Sequence, residues 1–301
     1  MVLKAGFVRC RFLAPFIPRE SVPAQYRNAA PALLVAALAY AKSPLVGNIA
    51  PFAQRNYYRA GVQRLQALAK ECRARWGGVK SDFRILCNSP VPEKSLAVAC
   101  GLGVFGRNSL VITPEAGSRV ILAAMTLPYS LPGDSPHGDG KNFPFCKNCD
   151  PILPPCAAAC PTKSADGNGS LHLSRCIQWY ASGKGASVPQ EVARNWGNRL
   201  YGCTPCQDAC VHNQQNAAEF FTENGSLPAY IDPAEILAMP DEAIRSRFQG
   251  TVLGMAWLGP QGIRRNAALN LAYLQDVHGG VSADFFSRYS SSSQLSPMPK
   301  K

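Results

Sequence analysis

Eight of the twelve cysteines in this 301-residue chain fall between Cys146 and Cys210. The first group reads Cys146-x2-Cys149-x6-Cys156-x3-Cys160-Pro161, the second reads Cys203-x2-Cys206-x3-Cys210, and Cys176 stands alone between them. Thiols two or three residues apart can be presented by one loop to a common inorganic centre, and their crowding favours metal over a disulfide framework. The other four, Cys10, Cys72, Cys87 and Cys100, are scattered among apolar neighbours.

Chains that carry two cubane clusters use the run C-x2-C-x2-C-x3-C-P, in which three thiolates wrap one cluster and the fourth ligates the other. Applied here, Cys146, Cys149, Cys156 and Cys210 ligate one [4Fe–4S] cluster, and Cys160, Cys176, Cys203 and Cys206 ligate a second. Every cysteine of the set is used once. The x6 spacing is longer than the usual x2, and the extra residues fall in Asp150 to Pro155, where three prolines form a rigid bulge. The competing reading is two structural Zn(Cys)4 sites, because C-x2-C pairs serve zinc equally well. Zinc ribbons need neither the C-x3-C-P ending nor the interleaved three-plus-one arrangement. Clusters move electrons but name no substrate, so another part of the chain must receive them.

The elements that position these residues separate by composition. Residues 1–135 are apolar with few turns, 136–215 are rich in Cys, Pro and Gly, and 216–289 read as helical, with a Ser-rich tail over 290–301 read as disordered. Asn56 to Trp76 places Tyr58, Val62, Leu65, Leu68, Ala69 and Cys72 at helical spacing, and Gly77-Gly78 ends the run. Ala32 to Ala41 is a buried strand or short helix, too short to span a bilayer. Phe83 to Cys87 predicts a short strand, and Glu93 to Cys100 a helix closed by Gly101. Ser109–Thr113 and Arg119–Leu127 predict a hairpin about Pro114-Glu115-Ala116-Gly117-Ser118. Pro233–Arg247 and Gly262–Asp276 are helical by period.

The net charge of +12 and pI near 9.3 suit a polyanionic partner, with tRNA, mRNA and DNA as candidates. A merely basic proteome gives the same balance. Arg175, Arg194, Arg199, Arg264 and Arg265 are candidate phosphate contacts. Trp179, Tyr180 and Trp196 either stack a base or cover the clusters, and His172 and His212 flank cluster cysteines. No signal peptide or membrane span is evident, so the expected location is the cytoplasm, with no membrane partner and the chain acting as a monomer.

Several motifs together resemble the cobalamin-dependent epoxyqueuosine reductases, relatives of the reductive dehalogenases. Gly101-Leu102-Gly103-Val104-Phe105-Gly106-Arg107-Asn108-Ser109-Leu110 is similar to that family's GLGxxGxxSL loop. Cys160-Pro161-Thr162, Arg175-Cys176-Ile177, Asn198-Arg199-Leu200-Tyr201-Gly202-Cys203, Cys206-Gln207 and Arg264-Arg265-Asn266-Ala267-Ala268 follow in the family's order. The similarity runs from about Arg55 to Tyr273. It implies an α+β fold: a nitroreductase-like cobalamin-binding domain, then a ferredoxin-like two-cluster module and a C-terminal helical segment. It also implies two [4Fe–4S] clusters and cobalamin as cofactors, an external low-potential electron donor, and tRNA as the partner in which epoxyqueuosine becomes queuosine. The glycines of the loop would let backbone amides approach a planar cofactor.

Family positions that touch the corrin fall on Cys87, Val111 and Leu122. Cys87 also stands where the family has an aspartate proton donor; a thiol there is either a proton donor or an inert core residue. Glu93 is the nearest carboxylic acid. The amino-terminal region is shorter than the family's, and Ala50-Pro51-Phe52-Ala53-Gln54-Arg55-Asn56-Tyr57 lacks its Arg-Tyr pattern. Two other functions fit the same motifs: a divergent reductase of another substrate, or a [4Fe–4S] electron-transfer protein with no substrate of its own.

Overall fold

The computed structural model describes residues 5–40, 47–134, 146–183, 187–214 and 225–277. The tail over 290–301 and most of the turn-rich stretch before Cys146 lie outside the described residues.

Strand β2 (Ala32–Ala39) is buried at every position, as an unbroken Ala/Leu/Val run requires when both faces of a sheet are covered. It pairs antiparallel with β1 (Arg9–Leu13) and with β6 (Val120–Leu127), and β3 (Ile85–Leu86) pairs with the far edge of β6. The order is β1-β2-β6-β3. Alternation along the strands sends Leu34, Ala36, Leu38, Ala123 and Met125 to one face, against helix α1 (Tyr57–Trp76). Leu33, Val35, Ala37 and Ala124 face the other way, against α2 (Glu93–Ala99).

Helix α1 begins where Asn56 Oδ1 accepts from the Arg59 N–H at 3.0 Å, and it stops at Gly77, whose φ of 82° excludes most other residues. The predicted hairpin is not formed. Its turn closes, with Thr113 and Gly117 exchanging backbone hydrogen bonds of 2.8 and 3.0 Å, but the flanking strands go to different sheets. Strand β5 (Val111–Ile112) pairs with β4 (Val104–Phe105), while β6 takes the central place between β2 and β3. An eight-residue apolar strand buries more between two long neighbours than against a two-residue one.

The loop glycines also serve a purpose other than the expected one. A Cβ at Gly103 would lie 2.6 Å from the Ile112 carbonyl oxygen, and one at Gly106 would meet the Ile112 side chain at 2.6 Å. They permit the close pairing of β4 with β5.

The cysteine-rich stretch is built on four short helices, α3 (Pro155–Ala158), α4 (Ile177–Ala181), α5 (Gln190–Arg194) and α6 (Pro205–Asp208). After it, the helix expected over 233–247 is two, α7 (Pro233–Ala238) and α8 (Asp241–Phe248), because Pro240 follows the first. Helix α9 (Gly259–Val277) packs on both. Ile236, Ile244, Phe248, Leu253 and Ile263 join the same apolar cluster as Leu34, Leu38 and Leu65. The carboxy-terminal helices therefore complete the core that the first strands begin. Among the described residues no helix is long and apolar enough to cross a membrane.

Candidate functional site

The eight cysteines gather in two sets of four. Cys146, Cys149, Cys156 and Cys210 line one small hollow, whose rim includes Arg107, Pro155 and Val211. Cys156 sits in α3 and Cys210 just beyond α6, and these two helices pack together. Cys160, Cys176, Cys203 and Cys206 line a second, larger cavity of about 250 Å3. In each set the thiols surround a hollow. Among the described residues no three His, Cys, Asp or Glu side chains converge to hold a single ion.

Burial raises most of these thiols, and the neighbouring thiols of the same set raise them further. Cys203 is pushed up to about 11 by burial, with Arg199 opposing and Cys176 and Cys160 adding to the rise. Cys156 also stands at about 11, from burial first and then Cys146 and Cys210. Cys160 differs. Burial would raise it, yet the N–H groups of Ala165, Thr162 and Ser164 bring it below the ordinary thiol value. Ser164 N donates to Cys160 Sγ at 3.2 Å. Such N–H···S contacts are how a protein stabilises sulfur that carries negative charge.

The larger cavity continues from its four thiols to the sheet. Val111 and Leu122 lie on its wall, beside Val120, with Tyr58 from α1 and Lys94 from α2. Lys94 Nζ donates to the Ser109 carbonyl at 3.1 Å, and burial lowers its pKa. Tyr58 and Lys94 were not distinguishable in the sequence: Tyr58 follows the same period as the core residues of α1, and Lys94 is an ordinary first-turn residue of α2.

Cys87 lies behind this wall and is not among the residues lining it. Its S–H is aimed at the carbonyls of Leu122 and Tyr58, at 3.6 and 3.9 Å. Burial, then the charge of Glu93, push the thiol up to about 12. Glu93 is itself raised, chiefly by burial, while its Oε1 accepts from Ser89 N and Oγ at 2.7 and 2.9 Å.

Between the two thiol sets runs a buried polar network. Gln207, next to Cys206, accepts from the Tyr40 hydroxyl at 3.0 Å and donates to the Ser118 carbonyl at 2.8 Å. Asn213 accepts from Ser118 N at 2.8 Å and donates to the Gln207 carbonyl at 2.7 Å. Arg119 pairs with Asp208 at 3.4 Å. This network fixes α6, with a cysteine of each set at or beside it, to the start of β6.

Several candidate contacts for nucleic acid are engaged inside the protein. Arg265 is buried, donates to the Tyr180 carbonyl, and is lowered to about 10 by burial. Arg264 pairs with Asp241 and the Met239 carbonyl. Trp196 is fully buried, with Nε1 donating to the Arg199 carbonyl at 2.6 Å, and Tyr180 donates to Ser174 O at 3.1 Å. Arg265, Trp196 and Tyr180 hold α4, α5 and α9 together and are enclosed, whereas Arg264 ties α9 to α8 and stays partly exposed. Arg175 and Arg194 are exposed.

No protein-family model matches the chain. Among curated proteins it is similar to the epoxyqueuosine reductase of Bacillus subtilis, 33% identical over 62% of this chain and 45% of that protein. The Pseudomonas aeruginosa epoxyqueuosine reductase is 32% identical over 72% of this chain and 58% of its own length. The chain thus spans about half the length of the curated relatives it matches. Its fold matches a crystal structure of epoxyqueuosine reductase with a TM-score of 0.75 and 23% identity, covering 92% of this chain and 80% of the other. A crystal structure of epoxyqueuosine reductase with an epoxyqueuosine-modified tRNA stem loop matches with a TM-score of 0.74, at 24% identity and the same coverage. By sequence over about two thirds of its length, and by α+β fold over nine tenths, the chain is a relative of the epoxyqueuosine reductases.

Proposed function

We propose that the chain is an oxidoreductase that converts epoxyqueuosine to queuosine in tRNA, using two [4Fe–4S] clusters and a cobalamin. The observation that carries this is one cavity bounded at one end by four thiols and at the other by the sheet wall of Val111 and Leu122. Cys146, Cys149, Cys156 and Cys210 would hold one cluster, and Cys160, Cys176, Cys203 and Cys206 the other. We assign the ferredoxin-like module to about residues 136–215, the nitroreductase-like, cobalamin-binding side to about 1–135 and the helical segment to 216–289, of which Leu227 to Ala267 supply residues to the core.

Cobalamin, when bound, supplies a strongly reducing cobalt centre suited to breaking a carbon–oxygen bond. Val111, Val120 and Leu122 would exclude water from one face of the corrin and give it an apolar surface. The N–H groups around Cys160 hold negative charge on sulfur at the cavity end. Reduction of the epoxide to the alkene consumes two electrons and two protons and releases water. We assign Cys87 to the packing behind the wall and not to proton delivery, since its S–H is aimed at backbone carbonyls and its pKa of about 12 makes it a weak acid.

The test is turnover by the full chain, reconstituted anaerobically with iron, sulfide and cobalamin, on a tRNA stem loop carrying epoxyqueuosine. Nucleoside mass spectrometry should find queuosine. A protein with reduced clusters and bound cobalamin that forms none would reject the assignment. That outcome would favour a reductase of another substrate, a reading supported by the thiol at the acid's position.

A further inference from the structure

The loop between Cys149 and Cys156 is longer than wrapping a cluster requires, and the second thiol set does not use it. Its backbone is held firmly. Arg107 donates to the carbonyls of Asp150 and Pro151 at 2.7 Å each. The Asp150 carboxylate, itself exposed, accepts from the N–H groups of Ile152 and Leu153 at 2.8 and 2.9 Å. What this fixed turn presents to water is apolar: Ile152 is 91% exposed and Leu153 55%. Val211, 50% exposed, follows Cys210 and lines the hollow of the first thiol set. Isolated exposed aliphatic residues are ordinary, but a rigid turn that holds two of them out beside a buried thiol set suits a contact surface.

The surrounding charge says what kind of partner fits. Lys147, between two cysteines of the first set, is exposed, as is Lys163, whose Nζ reaches the Ala158 carbonyl of α3 at 3.3 Å. The chain as a whole carries +12. The one acid of the turn, Asp150, is exposed, and Lys147 and Lys163 outweigh its charge. The hollow of the first thiol set shares Val211 with this surface and Arg107 with the turn, whereas the second set lines the larger cavity.

We propose that Ile152, Leu153 and Val211, flanked by Lys147 and Lys163, form the docking surface for a small acidic one-electron carrier protein. Each encounter oxidises the carrier by one electron and reduces the cluster of the first thiol set by one; two encounters supply the pair that the reduction consumes. A small apolar patch with a basic margin gives a short-lived complex, steered by charge and released quickly. The inference rests on the iron–sulfur reading of the cysteines.

The experiment uses the full, reconstituted chain, with iron and sulfide content measured first. Cluster reduction is followed by bleaching near 400 nm, with reduced flavodoxin as the acidic protein donor and dithionite as the small one. Ile152→Ser/Leu153→Ser should slow reduction by flavodoxin at least about tenfold and leave dithionite reduction within about twofold. Lys147→Glu/Lys163→Glu should slow flavodoxin and abolish the fall of its rate with salt. Unchanged flavodoxin rates, or equal slowing with dithionite, would overturn the docking surface alone. A wild-type chain that assembles no cluster would overturn both this inference and the reading beneath it.

Discussion

Replacing Gln207 by leucine tests whether the polar network between the thiol sets holds them in place. The side chain is buried, and leucine is close to it in volume, so the change removes polar contacts more than packing. Its two short bonds disappear, the one accepted from the Tyr40 hydroxyl and the one donated to the Ser118 carbonyl, with a longer contact of 3.5 Å to Ser118 Oγ, which keeps Asn213. Both partners remain buried without replacement, at about 1–3 kcal/mol each. Taking ~1.5 kcal/mol for each gives ~3 kcal/mol, which raises the population of locally opened molecules by roughly 150-fold. Because α6 carries Cys206 and leads to Cys210, opening here would expose both proposed clusters. The assay is the rate of iron release to a chelator, read from the loss of absorbance near 400 nm. Tyr40→Phe added to Gln207→Leu removes one stranded group and should recover about half of the loss in free energy. Iron release at the wild-type rate from Gln207→Leu, or no recovery in the double variant, would refute the role given to this network.

Two further outcomes follow from the residues behind the cavity wall. With its pKa at about 12 against an ordinary 9.0, Cys87 carries roughly 10³ less thiolate than an ordinary thiol below pH 9. Iodoacetamide at pH 8 should therefore label it about a thousandfold more slowly than a peptide thiol, and comparable labelling would refute its placement. Glu93→Gln should speed that labelling by removing the second cause of the shift. Because burial raises the folded pKa of Glu93 above its ordinary 4.5, the folded state holds this proton more tightly than the unfolded one. Its stabilising contribution is complete below pH 4.5 and is lost as pH rises through the folded value. The Tm of Glu93→Gln minus that of wild type should grow from pH 4 to pH 7, and a constant difference would argue against it.

Where local pattern decides the structure, the sequence was readable. Asn56 and Gly77 bound α1 because capping and positive φ are properties of single residues. The unbroken apolar run of β2 already implied burial on both faces. The cysteine sets were legible because the chain length between thiols restricts which of them one loop can bring together, and the structure gathers those eight in the two groups the spacing suggests. Choices between distant partners were not readable. The turn at Pro114 to Ser118 is present, but β6 prefers β2 and β3 to β5, a preference set by buried area far away in sequence. The same limit hides the fate of Arg265 and Trp196, which look like surface binders until α4, α5 and α9 enclose them. Tyr58 was concealed for the opposite reason, since a residue on the cavity wall keeps the same helical period as one in the core.

The core that joins the first strands to the last helices has a consequence for synthesis. The sheet face carrying Leu34 and Leu38 is covered partly by Ile236, Ile244 and Ile263, and all eight cluster cysteines are translated between these two halves. At ordinary elongation rates of about 5–20 residues per second, that face waits on the order of 10–50 s for its cover. During that interval the thiols are accessible and the stretch bearing them is tethered at one end only. On the iron–sulfur reading, clusters could thus be inserted before the core closes, and after closure they would leave through the local opening that Gln207 resists. A nascent chain arrested before residue 230 would need a holding chaperone on its apolar face, and would be the form most readily loaded with iron.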